Sequence, residues 1–487
     1  MTGCTRTARR LAAAAALALA LLAAGVVVPI PEGWGQPGAP GSGFGGGWGQ
    51  PGALRLPSSY APPPGGRAPV GRGEARPAGG RSPVIGVIGY RPAVVARLDP
   101  RTLRPLPGPR IRLPYGISGY GWSPDRSLLV LGDLDDDALH VVDPVRLRRV
   151  ATVDIGVVAE APQALAWLGP RRLAVVAGDS ADGATLVMAD PVAGRVLSRR
   201  PLAPAGITAA AGAGDRMVLL STSVDRIGPA RLQVVDDRGR VRTAGLEGVD
   251  AGFQDPPDWD RPGAYGISRE AALAVDPDGG RAFVVTAGAV VAEVDLDSLQ
   301  VTYRRLRQPA SLLRRLAHWL VPPAEAKLNV GTWRAACWLG DGRMAVWGSE
   351  SRVVGDVPAE QRSEQRPSGL KLIDTRTWTV GTLHPAATDA TWQEGRLLAF
   401  GGTWDHETER EVGVGLTVYT PGDRRPRQLL GGQAVMEAHL NGDLVYAAVD
   451  TGAEDYASRV VSLTSGQVLS SERPLPWLLL GTDDRPC

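Results

Sequence analysis

The strongest constraint on the fold is a repeat of short apolar strands that runs from residue 83 to the C-terminus. In the pattern an apolar strand is followed by a variable loop and by a second strand, which in six of the eight copies ends in Asp before a tight turn, and a third strand follows. The clearest copy has strands at 128–131, 139–143 and 150–153. Strands this short cannot bury their apolar side chains alone, so we expect the copies to pack against one another.

The same order of strands is present in seven further copies, spaced about 40–55 residues apart. Their first and second strands lie at 85–88 and 94–99, 173–176 and 186–190, 217–220 and 232–236, 282–285 and 290–295, 344–347 and 370–374, 397–400 and 416–419, and 444–447 and 460–463. This period is typical of a blade of four antiparallel strands. The sequence therefore predicts an all-β protein, a β-propeller of four-stranded antiparallel blades, with eight blades and with seven as the alternative.

The C-terminal end of the chain is predicted to close the ring. Several copies are preceded by an innermost strand, as at 164–168, 272–275 and 388–392. The first copy has none, because Pro83 follows a Gly/Pro-rich stretch directly, whereas the apolar segment 477–480 has no other place in the repeat. Pairing this segment with the first copy would remove two exposed strand edges, which favours it as the missing strand.

One segment of the repeat carries a family resemblance. Residues 276–285, DPDGGRAFVV, resemble the turn and strand of secreted bacterial propellers of the YVTN, WD40-like and quinoprotein-like group. The resemblance covers about residues 83–487 and implies the architecture, since this fold hosts unrelated activities. The Gly-His and Trp-Asp pairs of strict WD40 blades and the vicinal cysteine pair of quinoprotein dehydrogenases are missing from the sequence.

The N-terminus predicts export from the cytoplasm. Residues 1–28 combine three arginines with an apolar run at 11–24 and small residues after it, the pattern of a signal peptide. The apolar run continues to Ile30, so an uncleaved N-terminal membrane anchor is the alternative. Residues 29–82 are rich in Gly and Pro and are predicted to be a disordered linker. We therefore expect a secreted or membrane-tethered, extracytoplasmic protein whose propeller domain occupies residues 83–487.

The propeller domain contains one predicted helical insertion, at residues 308–330. Within it, residues 311–320 place four leucines on one stripe and two arginines opposite, and Pro322-Pro323 ends the segment. Such a helix either packs on the propeller or docks to a partner or membrane. Cys337 lies in an apolar strand, so it is either a buried free thiol or half of a bridge to Cys487.

The two faces of a propeller differ in their loops. One face receives short turns with Gly, Pro, Asn and Asp, and it collects arginines such as Arg126, Arg171, Arg172 and Arg343. The other receives the connections between the second and third strands and the crossings between blades, which are long and acidic. Variable loops on a rigid scaffold commonly carry binding function. The predicted ligand-binding residues are Asp133, Asp135, Asp137, Asp179, Asp258, Trp259, Asp260, Trp404, Asp405, His406, Glu407, Asp450 and Asp455.

The sequence favours binding over catalysis. The five histidines are scattered, and neither a zinc-binding helix motif nor a Gly-x-Ser-x-Gly elbow occurs. The net charge of +2 indicates no general attraction to nucleic acid. We therefore predict a monomeric, non-enzymatic interaction propeller that takes a protein or cationic ligand at its acidic face and needs no cofactor. The alternative is a hydrolase or lactonase-like propeller with a metal at the channel mouth, assembled from several blades.

Overall fold

A computed structural model describes residues 84–480, except 90–91, 115, 134–136, 157–163, 179–182, 204–205, 224, 257–264, 277, 279, 308–328, 355–361, 406–409, 422, 424, 452–455 and 473–475. The predicted signal peptide or anchor, the linker and residues 308–328 of the predicted insertion lie outside the described residues. The last two residues of that insertion, 329–330, are corrected to strand, since they begin the long strand Asn329–Gly340. Every regular element in the described part is a β-strand, so it contains no helix. Accordingly, no described helix is long and apolar enough to cross a membrane.

Six four-stranded antiparallel sheets form separate blades. Blade 1 contains β1 (Val84–Ile88), β2 (Ala93–Leu98), β3 (Ile111–Leu113) and β36 (Pro476–Leu480). Blade 2 contains β4 (Ile117–Trp122), β5 (Leu129–Asp133), β6 (Ala138–Asp143) and β7 (Arg148–Asp154). Blade 3 contains β8 (Ala164–Gly169), β9 (Arg172–Ala177), β10 (Thr185–Asp190) and β11 (Arg195–Pro201).

The other three blades follow later in the chain. Blade 4 contains β17 (Ala272–Asp276), β18 (Arg281–Val285), β19 (Val290–Asp295) and β20 (Val301–Arg305). Blade 5 contains β26 (Asp389–Gln393), β27 (Arg396–Phe400), β30 (Leu416–Tyr419) and β31 (Arg427–Leu429). Blade 6 contains β32 (Ala434–Asn441), β33 (Leu444–Asp450), β34 (Tyr456–Ser462) and β35 (Val468–Glu472). A two-stranded hairpin, β28 (Gly402–Asp405) and β29 (Arg410–Gly413), joins β27 to β30.

The remaining strands form one ten-stranded sheet, here called the bridged sheet. Its first half is β12 (Gly206–Ala213), β13 (Arg216–Thr222), β14 (Gly228–Val235) and β15 (Val241–Gln254). Its second half is β21 (Asn329–Gly340), β22 (Arg343–Val354), β23 (Arg362–Pro367), β24 (Leu370–Asp374) and β25 (Thr379–His384). The short strand β16 (Ile267–Arg269) joins the halves, because it pairs antiparallel with β15 and parallel with β21.

The predicted number of blades is therefore corrected. The strands expected for all eight copies of the repeat are present, yet six four-stranded sheets are separate, and neither eight nor seven blades form. The physical reason is β16, whose hydrogen bonds merge the fourth and sixth copies into the bridged sheet. Blade 4, the fifth copy, lies between the two halves.

Apolar side chains between successive sheets close these elements into a ring. Leu220 and Leu246 of the first half pack against Val284 of blade 4, whose Phe283 packs against Met344 of the second half. At the closing point Leu98 and Leu479 of blade 1 lie in one buried cluster with Tyr446 of blade 6. The fold is a β-propeller.

The C-terminal strand completes blade 1, which confirms the predicted ring closure. Strand β36 is the innermost strand, and it pairs antiparallel with β1 through Leu480 opposite Ile85 and Leu479 opposite Gly86. Leu479 and Leu480 are both buried. Blade 1 is therefore built from the two ends of the described chain.

In six of the eight copies an Asp at the end of the second strand of the repeat, which is the third strand of a complete blade, holds the turn that follows it. Its carboxylate accepts a hydrogen bond from a backbone N–H two or three residues later, as in Asp99, Asp143, Asp190, Asp236, Asp295 and Asp374. The fourth residue after the Asp often has left-handed backbone, for example Leu147 with a φ of 46° and Trp378 with a φ of 58°. The repeated Asp is thus structural, because it satisfies turn N–H groups.

Cys337, in β21, is buried and disulfide-bonded. The alternative of a buried free thiol is therefore wrong. Its partner cysteine lies outside the described residues, so the Cys337–Cys487 pairing stays a prediction.

Candidate functional site

The acidic face, here called the loop face, carries two projecting hairpins. It is the face that receives the connections between second and third strands, and β28–β29 is that connection in blade 5. In the bridged sheet the first part of β22 pairs with β24, and its second part, residues 349–354, extends further and pairs with β23. Strand β23 lies beside β28, so the two hairpins form one raised surface.

The β28–β29 hairpin is held against blade 6 by a glycine. A Cβ at Gly413 would collide with the backbone of Gln433 and Ala434, where β32 begins. Only glycine permits this close approach, because every other residue would push the hairpin away. The hairpin is therefore a fixed extension of the ring.

Acidic groups and one tryptophan meet where this hairpin touches blade 6. Trp404 lies directly opposite Glu411 in the hairpin register, and its side chain is 42% exposed. Burial raises the pKa of Glu411 to about 7, and the nearby carboxylate of Asp450 adds to this effect. Asp450 ends β33 in blade 6, so the cluster spans two blades. We call Trp404, Asp405, Glu411 and Asp450 the hairpin cluster.

The structure brings together only part of the predicted site. Trp404, Asp405 and Asp450 are on the loop face within the hairpin cluster. Asp137 is half-buried just before β6, in blade 2. Asp133 is buried, with its carboxylate 3.9 Å from Nε2 of His140, and so it is not part of the exposed surface. The predicted residues that lie outside the described part are Asp135, Asp179, Asp258, Trp259, Asp260, His406, Glu407 and Asp455.

Several other acids of the loop face are neutralised by arginines. Glu350 accepts from Arg334 at 2.7 Å and from Arg352 at 3.2 Å. Glu364 pairs with Arg366 at 3.1 Å. Negative charge is therefore not spread evenly over this face. Within the described ranges, no group of three or more His, Cys, Asp or Glu side chains is arranged to hold a metal ion.

Sequence reasoning missed Glu411, the residue of the hairpin cluster whose pKa is raised by burial. Its burial depends on the docking of the hairpin onto blade 6, which the local sequence does not specify. A signal was present, however: glycines at 401–402 and at 413 and 415 flank the segment, as expected for a short hairpin.

No protein-family profile and no curated protein matches this sequence. Among solved structures, the chain is similar to dihydro-heme d1 dehydrogenase NirN in complex with DHE, with 14% identity, a TM-score of 0.51, and coverage of 86% of this chain and 78% of that one. BamB from Moraxella catarrhalis matches with 11% identity and a TM-score of 0.39, covering 74% of this chain and 90% of that one. At 14% identity the first likeness shows the propeller fold alone.

Proposed function

We propose that this protein is an extracytoplasmic, non-enzymatic binding propeller whose loop face takes a basic segment of a partner protein at the hairpin cluster. One observation carries the proposal. An exposed tryptophan on a rigidly docked hairpin, Trp404, lies opposite Glu411, whose carboxylate is repelled by that of Asp450 in blade 6.

The chemistry of the hairpin cluster favours a cation. Burial and the nearby Asp450 carboxylate together raise the pKa of Glu411 to about 7, and a positive charge between the two carboxylates would stabilise their ionised forms. A lysine or arginine side chain supplies that charge, and Trp404 adds a cation–π contact of about 0.5–2 kcal/mol. A small inorganic cation would use the carboxylates but gain little from the ring.

The proposed location rests on the N-terminal segment rather than on the propeller. Residues 1–28 have the charge and apolar pattern of an export signal or anchor, and the Gly/Pro-rich residues 29–82 would separate it from the ring. On this proposal the loop face meets partners at the cell surface or in the medium.

The proposal is tested with a fluorescent oligolysine peptide and an oligoglutamate peptide of equal length, by anisotropy at low and high salt. We expect the protein to bind the basic peptide only, and salt to weaken binding because it screens the charges. The variant Trp404→Ala with Glu411→Gln and Asp450→Asn should lose binding. The matched control is Arg148→Gln with Arg172→Gln, two exposed arginines beside the short turns of the opposite face. Loss of binding in the arginine control, with retention in the acidic variant, contradicts the proposal.

A further inference from the structure

A cavity of about 360 Å³ opens on the loop face above blade 4. Its walls come from β15, from the segment around β16, from the turn between β18 and β19, and from the start of β21. This volume lies within the usual range for small-molecule sites. The cavity belongs to a different part of the ring from the hairpin cluster, since blades 5 and 6 contribute no residue to its lining.

The cavity exists because blade 4 extends less far toward the loop face than the long strands on either side of it. Its second and third strands are joined by a turn of four residues, 286–289, whereas β15 has 14 residues and β21 has 12. The strand β16 then crosses from β15 to β21 and closes one side. These walls are hydrogen-bonded sheet, so the cavity is already formed in the absence of a ligand.

A carboxylate that forms no ion pair with any described Lys or Arg lines this cavity. Glu270 follows β16 directly and is largely shielded from solvent, and burial raises its pKa. Its backbone N–H donates to the Thr332 carbonyl at 2.8 Å, which fixes its position. The only hydrogen bond described for its side chain comes from the Ser268 hydroxyl at 3.4 Å, and no described Lys or Arg forms an ion pair with it. Ionised Glu270 therefore lacks the partner that a buried charge requires.

The rest of the lining suits a ligand that donates hydrogen bonds. Asp250 supplies a second carboxylate, and Thr286 and Thr332 supply hydroxyl oxygens. Arg269, also at the lining, has an exposed side chain. Gly288 leaves the floor open, because a Cβ there would meet nothing closer than the Thr286 hydroxyl at 3.4 Å.

We infer that this cavity binds a small organic cation through an alkylammonium group that pairs with Glu270. The ammonium group gives Glu270 a counter-charge that the described Lys and Arg residues do not provide, and the hydroxyls accept its remaining N–H groups. A diamine is the best first probe, because Asp250 offers a second carboxylate in the same cavity. The inference is independent of the basic-peptide function proposed above, since it uses other residues.

The test is calorimetric titration of the full chain with putrescine, and with 1,4-butanediol as the uncharged molecule of the same length. We expect putrescine to bind and butanediol not to bind. Glu270→Gln should weaken putrescine binding at least about tenfold, because a neutral amide cannot replace the charge. Binding should also weaken as the pH falls and Glu270 takes up a proton.

A second variant tests the cavity without touching its charge. Gly288→Leu should fill the floor and abolish binding, whereas Gly381→Leu, a glycine of β25 with open space around it, should not. Thermal unfolding of each variant checks that it folds. The inference is overturned if butanediol binds as tightly as putrescine, if putrescine does not bind at millimolar concentration, or if Glu270→Gln and Gly288→Leu both bind normally. Glu411→Gln should keep putrescine binding, which separates this result from that of the peptide assay.

Discussion

At the scale of single residues, the same side-chain type has two roles in this propeller. The Asp that ends a third strand accepts backbone hydrogen bonds in the turn that follows, so its charge is satisfied locally. The carboxylates of the hairpin cluster are instead held close to one another, and those above blade 4 line a cavity. The acids that hold turns are thus distinguished by the backbone N–H groups from which they accept hydrogen bonds.

Asp190 provides a test of the structural role. It is buried, accepts from the Ala193 N–H at 3.0 Å and from Arg171 at 2.8 Å. Burial raises its pKa, but these hydrogen bonds outweigh that effect and leave the pKa below its usual value. Asp190→Ala should lower the free energy of unfolding by about 1–3 kcal/mol, and this loss should shrink as acid protonates the wild-type carboxyl. Asp215→Ala, at an exposed position, should change stability by less than about 0.5 kcal/mol in the same denaturation experiment. Equal effects of the two substitutions would contradict this role.

Glu411 should show the opposite dependence on pH. Its pKa is raised from 4.5 to about 7, so the folded state binds a proton more tightly than the unfolded state does. Stability must then fall as the pH rises from about 4.5 through about 7. Because part of the side chain is solvated, we expect Glu411→Gln to be more stable than wild type by only about 1–2 kcal/mol at pH above 7, and equal to it in acid. Chemical denaturation across this pH range measures the difference. The exposed Glu247→Gln serves as the control, and a constant difference at every pH would be evidence against the buried position of Glu411.

At the scale of elements, the strands were predictable and their connections were not. Apolar runs such as 173–176 and 282–285 lie within strands of the structure, because a buried strand requires apolar side chains on both faces. Strand β16, Ile-Ser-Arg, has no such pattern, and its pairing is decided by the exposed ends of β15 and β21. The same holds for Glu411 and Glu270, whose burial is produced by neighbours distant in sequence. The repeated turn motif was sufficient to predict the strands, whereas the cavity depends on how distant strands pair in the assembled ring.

At the scale of the whole molecule, the ring depends on the strand that closes it. Removing residues 476–487 should expose the edge of β1 and lose the buried side chains of Leu479 and Leu480, worth about 1.5–3 kcal/mol each. Removing only residues 481–487 keeps β36 and is the matched control. We expect the longer deletion to lower the Tm clearly below that of the shorter one in a calorimetric scan. Equal Tm values would show that closure contributes nothing to stability.

The strand β16 also changes how the propeller can open. A ring of blades held only by side-chain packing can lose one blade at a time, because each seam contains no backbone hydrogen bonds between sheets. Here the backbone ladder runs from one neighbour of blade 4 to the other, past the blade between them. Blade 4 therefore cannot swing out of the ring until that ladder breaks, and the floor and walls of its cavity keep their relative positions through ordinary fluctuations. A sector with a short connection between its second and third strands is thus also tied by a backbone ladder, as suits a site that must present Glu270 at a constant depth.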